Sequence, residues 1–566
     1  MIIKQSEKSW CVVDFETTGL NEYALTGRTR VWLYAIAGEN AEILNYGNSI
    51  DKFMEWARNH NGMLIYFHNL RFDGSFIISW LLENGFPYEE ELLVHSRKGF
   101  STLIGEMGEY YQIKINFACN RQVIIYDSLK LIPLKVRDIA KAFKLPIEKE
   151  VIDYDKYEIN EQTLSYVFND VKIVAMAIKF FRDKGYTRMT IGSNAYHSFK
   201  DSCPIFPLLF PKLTKEQIEE WREAYRGGRS QVNPKYAGKI LRNVKRYDLN
   251  SMYPSIMAYQ ELPYGRPFVG FKPGRFKFEI YKVAIAFKLK EGHLPTLLKT
   301  GSIFAKTGDT YYTDTDGVID MYISNIDLKL VYRHYDVMYI DYLQVWGFKT
   351  TKGIFTDWVK TMYENKSKYE GGLRLVYKLL LNSLYGKFGS KAIGYNRIPV
   401  LDDNNILSFV NGEEHEMSLY YMPMAIAITS YAHLIIDDAI MEVGYDNFVY
   451  CDTDSVHTFA DMPVSMVDNH MLGKFKLEGI EEKSKYIRQK TYIYLQDGKW
   501  EITCAGMSDG IKEYIIERYS RDVIKIFDIG LHVDADSPGI RKEQLKLMPK
   551  RVPGGVILVP MPFSLN

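Results

Sequence analysis

Apolar runs that end in short acidic turns recur along the chain. Trp10-Cys11-Val12-Val13 leads into Asp14-Phe15-Glu16-Thr17-Thr18-Gly19. Met63-Leu64-Ile65-Tyr66-Phe67 leads into His68-Asn69-Leu70-Arg71-Phe72-Asp73-Gly74, and Val123-Ile124-Ile125-Tyr126 ends at Asp127-Ser128-Leu129. Each reads as a buried strand closing in a turn. Thr163 to Phe181 spaces its apolar residues as a helix and carries Tyr166 and Asp170 one turn apart on one face. Helical sequence then gives way to mixed sequence near Gly185–Ser193, which marks a domain boundary.

The second part of the chain repeats the device. Asp248 ends an apolar strand and is followed by Leu249-Asn250-Ser251-Met252-Tyr253-Pro254-Ser255. Leu373 to Phe388 reads as a helix with Lys378, Asn382 and Tyr385 along one face. Phe448-Val449-Tyr450 and Val456-His457-Thr458-Phe459 flank the tip Cys451-Asp452-Thr453-Asp454-Ser455, the pattern of two strands and a hairpin. Tyr281 to Phe287 alternates apolar and other residues, so the long segment around it folds as a small unit of its own. Asp314-Thr315-Asp316-Gly317 repeats the acidic spacing without comparable flanking strands and reads as a turn.

Composition narrows the class. The 566 residues are 46% hydrophobic and 25% charged, ordinary for a soluble multidomain protein. A net charge of +1 gives no overall basic signature, so any nucleic-acid surface is local. The 42 tyrosines suit stacking on bases as well as packing. Five scattered cysteines without a C-x-x-C pair exclude a cysteine zinc site and fit reduced thiols in a cytoplasm. The N-terminus carries no secretory pattern, and no uninterrupted apolar stretch approaches the ~20 residues of a membrane helix.

The acids carry the chemistry. Asp14 and Glu16, like Asp452 and Asp454, lie two apart, so on an extended backbone each pair shares a face. Side-by-side carboxylates repel unless a cation lies between them, and hard oxygen ligands suit Mg²⁺ or Mn²⁺. An EF-hand is excluded because His457 stands where that loop needs Gly, and no P-loop pattern occurs. Asp14, Glu16, Asp73 and Asp170 can converge on a metal pair of the kind that cleaves phosphodiesters, with Tyr166 orienting the water. Asp248 can complete a second site with Asp454. Amides after Asp248 can face a triphosphate, and Tyr253, fixed before Pro254, can lie under an incoming sugar. Lys378 can take phosphate charge, with Lys366 and Arg374 extending the cationic face, and Tyr385 can stack on a base. Tyr225-Arg226-Gly227-Gly228 offers an arginine and close backbone approach to a phosphate backbone.

The ordered set D-x-E, N-x-x-x-D and Y-x-x-x-D resembles the three motifs of proofreading 3′–5′ exonucleases. By that resemblance Asp14, Glu16, Asp73 and Asp170 bind metal, and His68, Asn69, Phe72, Ser128 and Leu129 hold a single-stranded 3′ end. Lys149 aligns with a family lysine that assists the chemistry. D-x-x-S-x-Y-P, K-x-x-x-N-S-x-Y-G and Y-x-D-T-D-S, in that order, resemble motifs A, B and C of family B DNA polymerases, with Met252 where that family usually has Leu. Tyr225 to Gly228 and Lys490-Thr491-Tyr492 belong to the same set and imply DNA contacts by Tyr225, Arg226, Gly227, Gly228, Lys490 and Tyr492. More narrowly, the chain resembles the protein-primed polymerases of small Bacillus phages, since the first motif begins near residue one and inserts separate motifs A, B and C.

The resemblance implies an α/β multidomain fold. Residues 1–189 would form a ribonuclease H-like exonuclease domain, 190–259 and 423–525 the palm, 260–354 and 390–422 two insertions, 355–389 the fingers and 526–566 the thumb. It implies template-directed DNA synthesis with proofreading and strand displacement, two Mg²⁺ (or Mn²⁺) per site and deoxynucleotide substrates. Tyr253, Lys366, Lys378, Asn382 and Tyr385 would meet the incoming nucleotide. Partners would be template and primer DNA and a terminal protein primer, with the enzyme a monomer or a heterodimer with that protein, in a host bacterial cytoplasm. The insertion between motifs A and B is expected to close a ring around DNA with the thumb. Rival readings are a polymerase that starts only from nucleic-acid primers, a catalytically silent nucleic-acid scaffold, and a stand-alone nuclease, which leaves the second acid set unexplained.

Overall fold

The structure, a computed structural model, describes residues 9–92, 97–147, 156–299 and 310–566. The N-terminal unit is built on a seven-stranded mixed sheet. Its strand order is Ile43–Gly47, Val31–Gly38, Trp10–Thr17, Leu64–Phe67, Gln122–Asp127, Tyr110–Phe117 and Lys98–Ile104. The three central strands, Trp10–Thr17, Leu64–Phe67 and Gln122–Asp127, run parallel, so their carboxyl ends lie on one edge. That edge is where open α/β sheets place ligands. Alternation splits the first strand between two cores. Cys11, Val13 and Phe15 pack with Phe53 and Phe67, whereas Trp10 and Val12 join the cluster of Val167, Val171 and Val174. Those three valines belong to the helix Glu161–Asp183, capped by Asn160 through a reciprocal pair with Thr163. The periodicity therefore located this helix to within two residues at each end.

A five-stranded sheet forms the second centre, in the order Phe475–Glu481, Val244–Leu249, Ser455–Thr458, Phe448–Asp452 and Ser230–Val232. The helix Met422–Val443 backs it. It is the one helix among the described residues long and apolar enough to cross a membrane, which the sequence reading did not single out. It is mostly buried in the protein and carries His433 and Asp437 on its inner side, the signature of a core helix. The paired helices Thr356–Lys368 and Gly371–Phe388 rise beside the sheet.

Two inserted units sit on this frame. The first is a four-stranded antiparallel sheet, Leu262–Val269, Tyr335–Thr351, Phe278–Leu289 and Ile319–Ser324, with the helix Asn325–His334. Tyr281, Val283, Ile285 and Phe287 face inward as alternation requires and form its separate core with Met321, Ile323 and Val331. The second is the hairpin Ile393–Leu401 with Leu407–Glu416. The Asp314–Gly317 segment is a bend outside the named strands, as read from the sequence.

The C-terminal part packs with elements distant in sequence. Its core joins Ile493, Ile502, Ile511 and Ile515 to Val523, Phe527, Val533 and Leu565, so one packed unit spans the expected palm–thumb boundary at 525 and 526. Its last hairpin, Lys546–Val552 with Gly555–Met561, meets the second insertion. The Arg551 guanidinium lies 4.6 Å from the centre of the Phe409 ring. Leu407 and Val556 enter the same N-terminal core cluster. The hairpin turn fits because Gly554 and Gly555 lack side chains, since a Cβ on Gly554 would lie 2.3 Å from the Thr29 carbonyl and one on Gly555 2.5 Å from the Phe76 ring. The first insertion instead docks behind the five-stranded sheet.

That dock is ionic. Arg229 Nη1 donates to Asp437 Oδ1 at 2.9 Å, and both side chains are essentially inaccessible. From the first insertion, His334 Nε2 and Arg333 Nη1 approach Asp437 Oδ2 at 2.9 and 2.7 Å. Burial alone pushes the Asp437 carboxyl up, but His334, Arg229 and Arg333 together outweigh it and hold it at about 2. Removing one partner of such a pair leaves an uncompensated buried charge. Asp437→Ala is therefore expected to cost about 3–5 kcal/mol, read as lost hydrogen-exchange protection in the helix Met422–Val443. The carboxyl is depressed in the folded state, so its contribution is complete above the unfolded value of about 4 and disappears as pH falls toward 2. Asp437→Asn should flatten the acid dependence of that protection in this window.

Candidate functional site

The parallel strand ends gather the first acid set. Asp14, Glu16, His68, Asn69, Phe72, Asp73, Tyr166 and Asp170 line one cavity of about 290 Å³. Asp14 and Glu16 come from the first strand, Asp73 from the first turn of the helix Leu70–Glu83, and Tyr166 and Asp170 from the helix across the sheet. Asp73 is 3% exposed, and its Oδ1 has no hydrogen-bond partner among the described residues. Burial, then the charges of Asp14 and Glu16, push its carboxyl well above the usual range. A buried carboxylate oxygen without a donor, repelled by two neighbours, fits a cation ligand. Among the described residues, no three such side chains enclose an ion on their own, so water or substrate oxygens must complete any coordination.

Two residues expected to hold a 3′ end, His68 and Ser128, also bind one another. His68 Nδ1 lies 2.9 Å from Ser128 Oγ, and its Nε2 lies 2.7 Å from the Leu134 carbonyl. Ser128 Oγ donates to the Phe67 carbonyl at 3.1 Å and is fully buried, so its part is to fix His68, not to face a ligand. The amides of Asn69 and Leu129 both donate to Asp127 Oδ1, at 3.1 and 3.0 Å. Leu129 does not line the cavity, whereas Leu558 from the C-terminal hairpin does. Leu558 was missed because no local motif marks an apolar residue in a strand so distant in sequence. Lys149 lies outside the described residues.

The second set meets on the five-stranded sheet. Asp248 lies opposite Ser455 in the antiparallel register, and the Leu249 amide donates to the Asp454 carbonyl at 2.8 Å. Burial, then Asp454, then Glu478 push the Asp248 carboxyl up to about 7. Burial and Asp452 raise Asp454 as well, partly opposed by its own backbone amide and Lys490. Asp452 is different, because Lys490 Nζ grips both its oxygens at 2.7 and 2.8 Å. That ion pair joins Lys490, expected from the sequence to contact DNA, to Asp452. Tyr492 is packed among the rings of Tyr450, Tyr486 and Tyr494, so it braces the strand that carries Asp452 and is not set out toward a groove.

The turn between the acids is fixed from behind by the Tyr225–Gly228 segment. Thr453 adopts φ 57° and donates its amide to the Arg229 carbonyl at 2.7 Å. A Cβ on Gly228 would lie 2.7 Å from Thr453 Oγ1, so the close approach reserved for glycine is to this turn. The Gly227 carbonyl accepts from His433 Nε2 at 2.6 Å. Arg226 is 4% exposed and donates to the carbonyls of Leu298 and Tyr322 in the first insertion. The expected phosphate contact is thus corrected: burial and these two acceptors make Arg226 an anchor for the insertion. Tyr225 packs its ring against Gly389, and burial pushes its hydroxyl up to about 12.

In front of the acids lie the residues expected to meet a nucleotide. Tyr253 and Tyr385 stack, with centroids 3.8 Å apart and planes inclined by 22°. Lys366 Nζ lies 3.3 Å from Ser251 Oγ, just beyond Asp248 in sequence. Burial, then Arg374 and Lys378, lower the Lys366 ammonium, so these cations crowd one another. Lys378 and Asn382 are exposed on the same helix as Tyr385.

Comparison with known proteins agrees with this geometry. The sequence pattern described as DNA polymerase type B, organellar and viral, matches residues 55–156 and 153–470. The DNA polymerase of Bacillus phage phi29 is 36% identical over 98% of both chains, and that of Streptococcus phage Cp-1 is 33% identical over 89% of this chain and 92% of its own. The phi29 DNA polymerase structure with single-stranded DNA superposes with a TM-score of 0.88 at 34% identity, covering 99% of this chain and all of that one. Its complex with primer-template DNA and incoming nucleotides gives 0.87 at 35% identity, covering 99% of this chain. The chain belongs to the organellar and viral type B DNA polymerases and is a DNA polymerase of the phi29 type.

Proposed function

We propose that this polymerase copies DNA at the Asp248–Asp454 site and proofreads at the Asp14–Asp170 cavity, starting replication from a protein hydroxyl. The observation that carries the reading is the meeting of Asp248, on its strand, with Asp454, in the turn just before the paired strand, where burial first and Asp454 second push the Asp248 carboxyl up to about 7. Two Mg²⁺ (or Mn²⁺), when bound, would acidify the primer 3′-hydroxyl and neutralise the triphosphate and leaving pyrophosphate. Asp248 and Asp454 would hold them, and Asp452, tied to Lys490, would keep the turn in register. Lys366 and Lys378, backed by Arg374, offer positive charge to the triphosphate. The Tyr253–Tyr385 stack forms a floor beneath the sugar and base, and Asn382 faces the same space. In the N-terminal cavity, Asp14, Glu16, Asp73 and Asp170 would hold the corresponding pair. Tyr166 would orient the attacking water, with Lys149 as an assisting cation. Asn69 and Phe72 would receive the unpaired 3′ end, with His68 held in place by Ser128.

A terminal protein supplying the priming hydroxyl, and a bacterial cytoplasm as the place of action, rest on the likeness to Bacillus phage polymerases. Strand displacement follows from the second insertion and the C-terminal hairpin, which meet at Phe409 and Arg551. A closed path around DNA opposes dissociation and excludes duplex template.

The two activities separate by mutation. Asp454→Ala should abolish nucleotide incorporation on a primed template and leave 3′–5′ degradation intact, and Asp14→Ala with Asp73→Ala should do the reverse. A folded Asp454→Ala enzyme that lost both would refute the two-site reading. Tyr253→Val should admit ribonucleotides several-fold to about a hundredfold more readily in incorporation kinetics, because a ring under the 2′ position excludes a hydroxyl sterically. Tyr253→Phe keeps the ring and should keep the discrimination. Arg551→Ala with Phe409→Ala should shorten products made in a single binding encounter through duplex template, while short gap filling stays unchanged. Full-length products from that variant would remove the ring as the cause.

A further inference from the structure

The strap behind the catalytic turn ties it to the first insertion. The Thr453 amide is held by the Arg229 carbonyl, and the next residue, Ser230, pairs with Asp452 across the strand edge. Arg229 cannot drift, because its buried guanidinium is locked on Asp437 Oδ1 and on Gln231 Oε1, the latter at 3.1 and 3.3 Å. Ser230 cannot drift either. Tyr311 of the first insertion donates its hydroxyl to the Ser230 carbonyl and accepts from the Ser230 amide, both at 3.0 Å. The same insertion reaches Asp437 with His334 and Arg333. Two independent contacts from one inserted unit therefore converge on the two residues that set Thr453, and Thr453 joins Asp452 to Asp454.

We propose that the first insertion holds Asp454 in its working position, with Tyr311 as a positioning residue through Ser230 and with Arg333 and His334 acting through Asp437 and Arg229. The inference rests on the reading of Asp454 as a polymerisation residue. Displacing a reacting group by about 1 Å costs up to about a hundredfold in rate. Tyr311→Phe keeps the ring and its packing but removes both bonds to the Ser230 backbone. Arg333→Gln removes the outer, partly exposed cation from Asp437 while Arg229 and His334 stay paired with it.

The test is single-turnover incorporation on a primed template by the full chain, with primer-template binding and degradation of single-stranded DNA measured in parallel. Tyr311→Phe should lower the maximal incorporation rate about tenfold and raise the half-saturating Mg²⁺ concentration. Primer-template affinity and the degradation rate should stay at wild type. Arg333→Gln should shift the same two quantities in the same direction by a smaller factor. Wild-type incorporation rates in both variants would overturn the proposal. So would a parallel fall in incorporation and degradation, which would mark general destabilisation. Asp454→Ala is the control for the underlying reading: if it still incorporates, that reading fails whatever the two variants do.

Discussion

Bringing Asp248 and Asp454 together in a partly buried place is the constraint on which the five-stranded sheet and its turn depend. Left to themselves, two such carboxylates move apart or take up a proton, and the rise of Asp248 to about 7, through burial first and Asp454 second, records the second tendency. Holding them together requires a backbone that cannot yield. The Leu249 amide on the Asp454 carbonyl and the Thr453 amide on the Arg229 carbonyl supply two such restraints. Glycine at 228 allows the strap to lie directly against the turn. Lys490 pairs with Asp452, which ties that acid to the scaffold and offsets part of the charge it adds beside Asp454.

The N-terminal cavity meets the same difficulty differently. Its acids come from strand ends and two helices, and the buried Asp73 takes much of the electrostatic load. A parallel sheet suits this task, because three strands deliver their carboxyl ends to one edge without special turns. The wall is completed by Leu558, which belongs to the same hairpin that meets the second insertion through Arg551. One C-terminal element thus contributes to the N-terminal cavity and to the contact with the second insertion.

Local spacing made the acids, the long helices and the inserted sheet legible in the sequence. Asp14 with Glu16 and Asp452 with Asp454 declare themselves by period-two spacing, Tyr166 with Asp170 by helical spacing. What stayed hidden depends on contacts between remote segments. Arg226 looks like a phosphate ligand until its burial among the carbonyls of Leu298 and Tyr322 is known. Ser128 and Lys490 have polar ends that bind other parts of the chain, His68 and Asp452 respectively. The contact between the second insertion and the C-terminal hairpin was hidden for the same reason, since only the packing of Phe409 against Arg551 brings the two together.

Charge in the polymerising site is arranged as two self-repelling groups facing a common space. Burial and then Asp454 raise Asp248, burial and Asp452 raise Asp454, and burial, Arg374 and Lys378 lower Lys366. The link between them is short, for Lys366 touches Ser251, three residues beyond Asp248. Each cluster on its own is a cost to folding. A ligand carrying both signs, cations toward the acids and phosphates toward the lysines, relieves both at once. A metal–nucleoside triphosphate has that charge pattern, whereas a free nucleoside or free cation relieves at most one cluster. The near-neutral net charge of +1 fits this picture, since binding is driven by local clusters and not by a general basic field. The stacked Tyr253–Tyr385 pair adds a flat, rigid surface beside these charges, a shape constraint that charge alone does not supply.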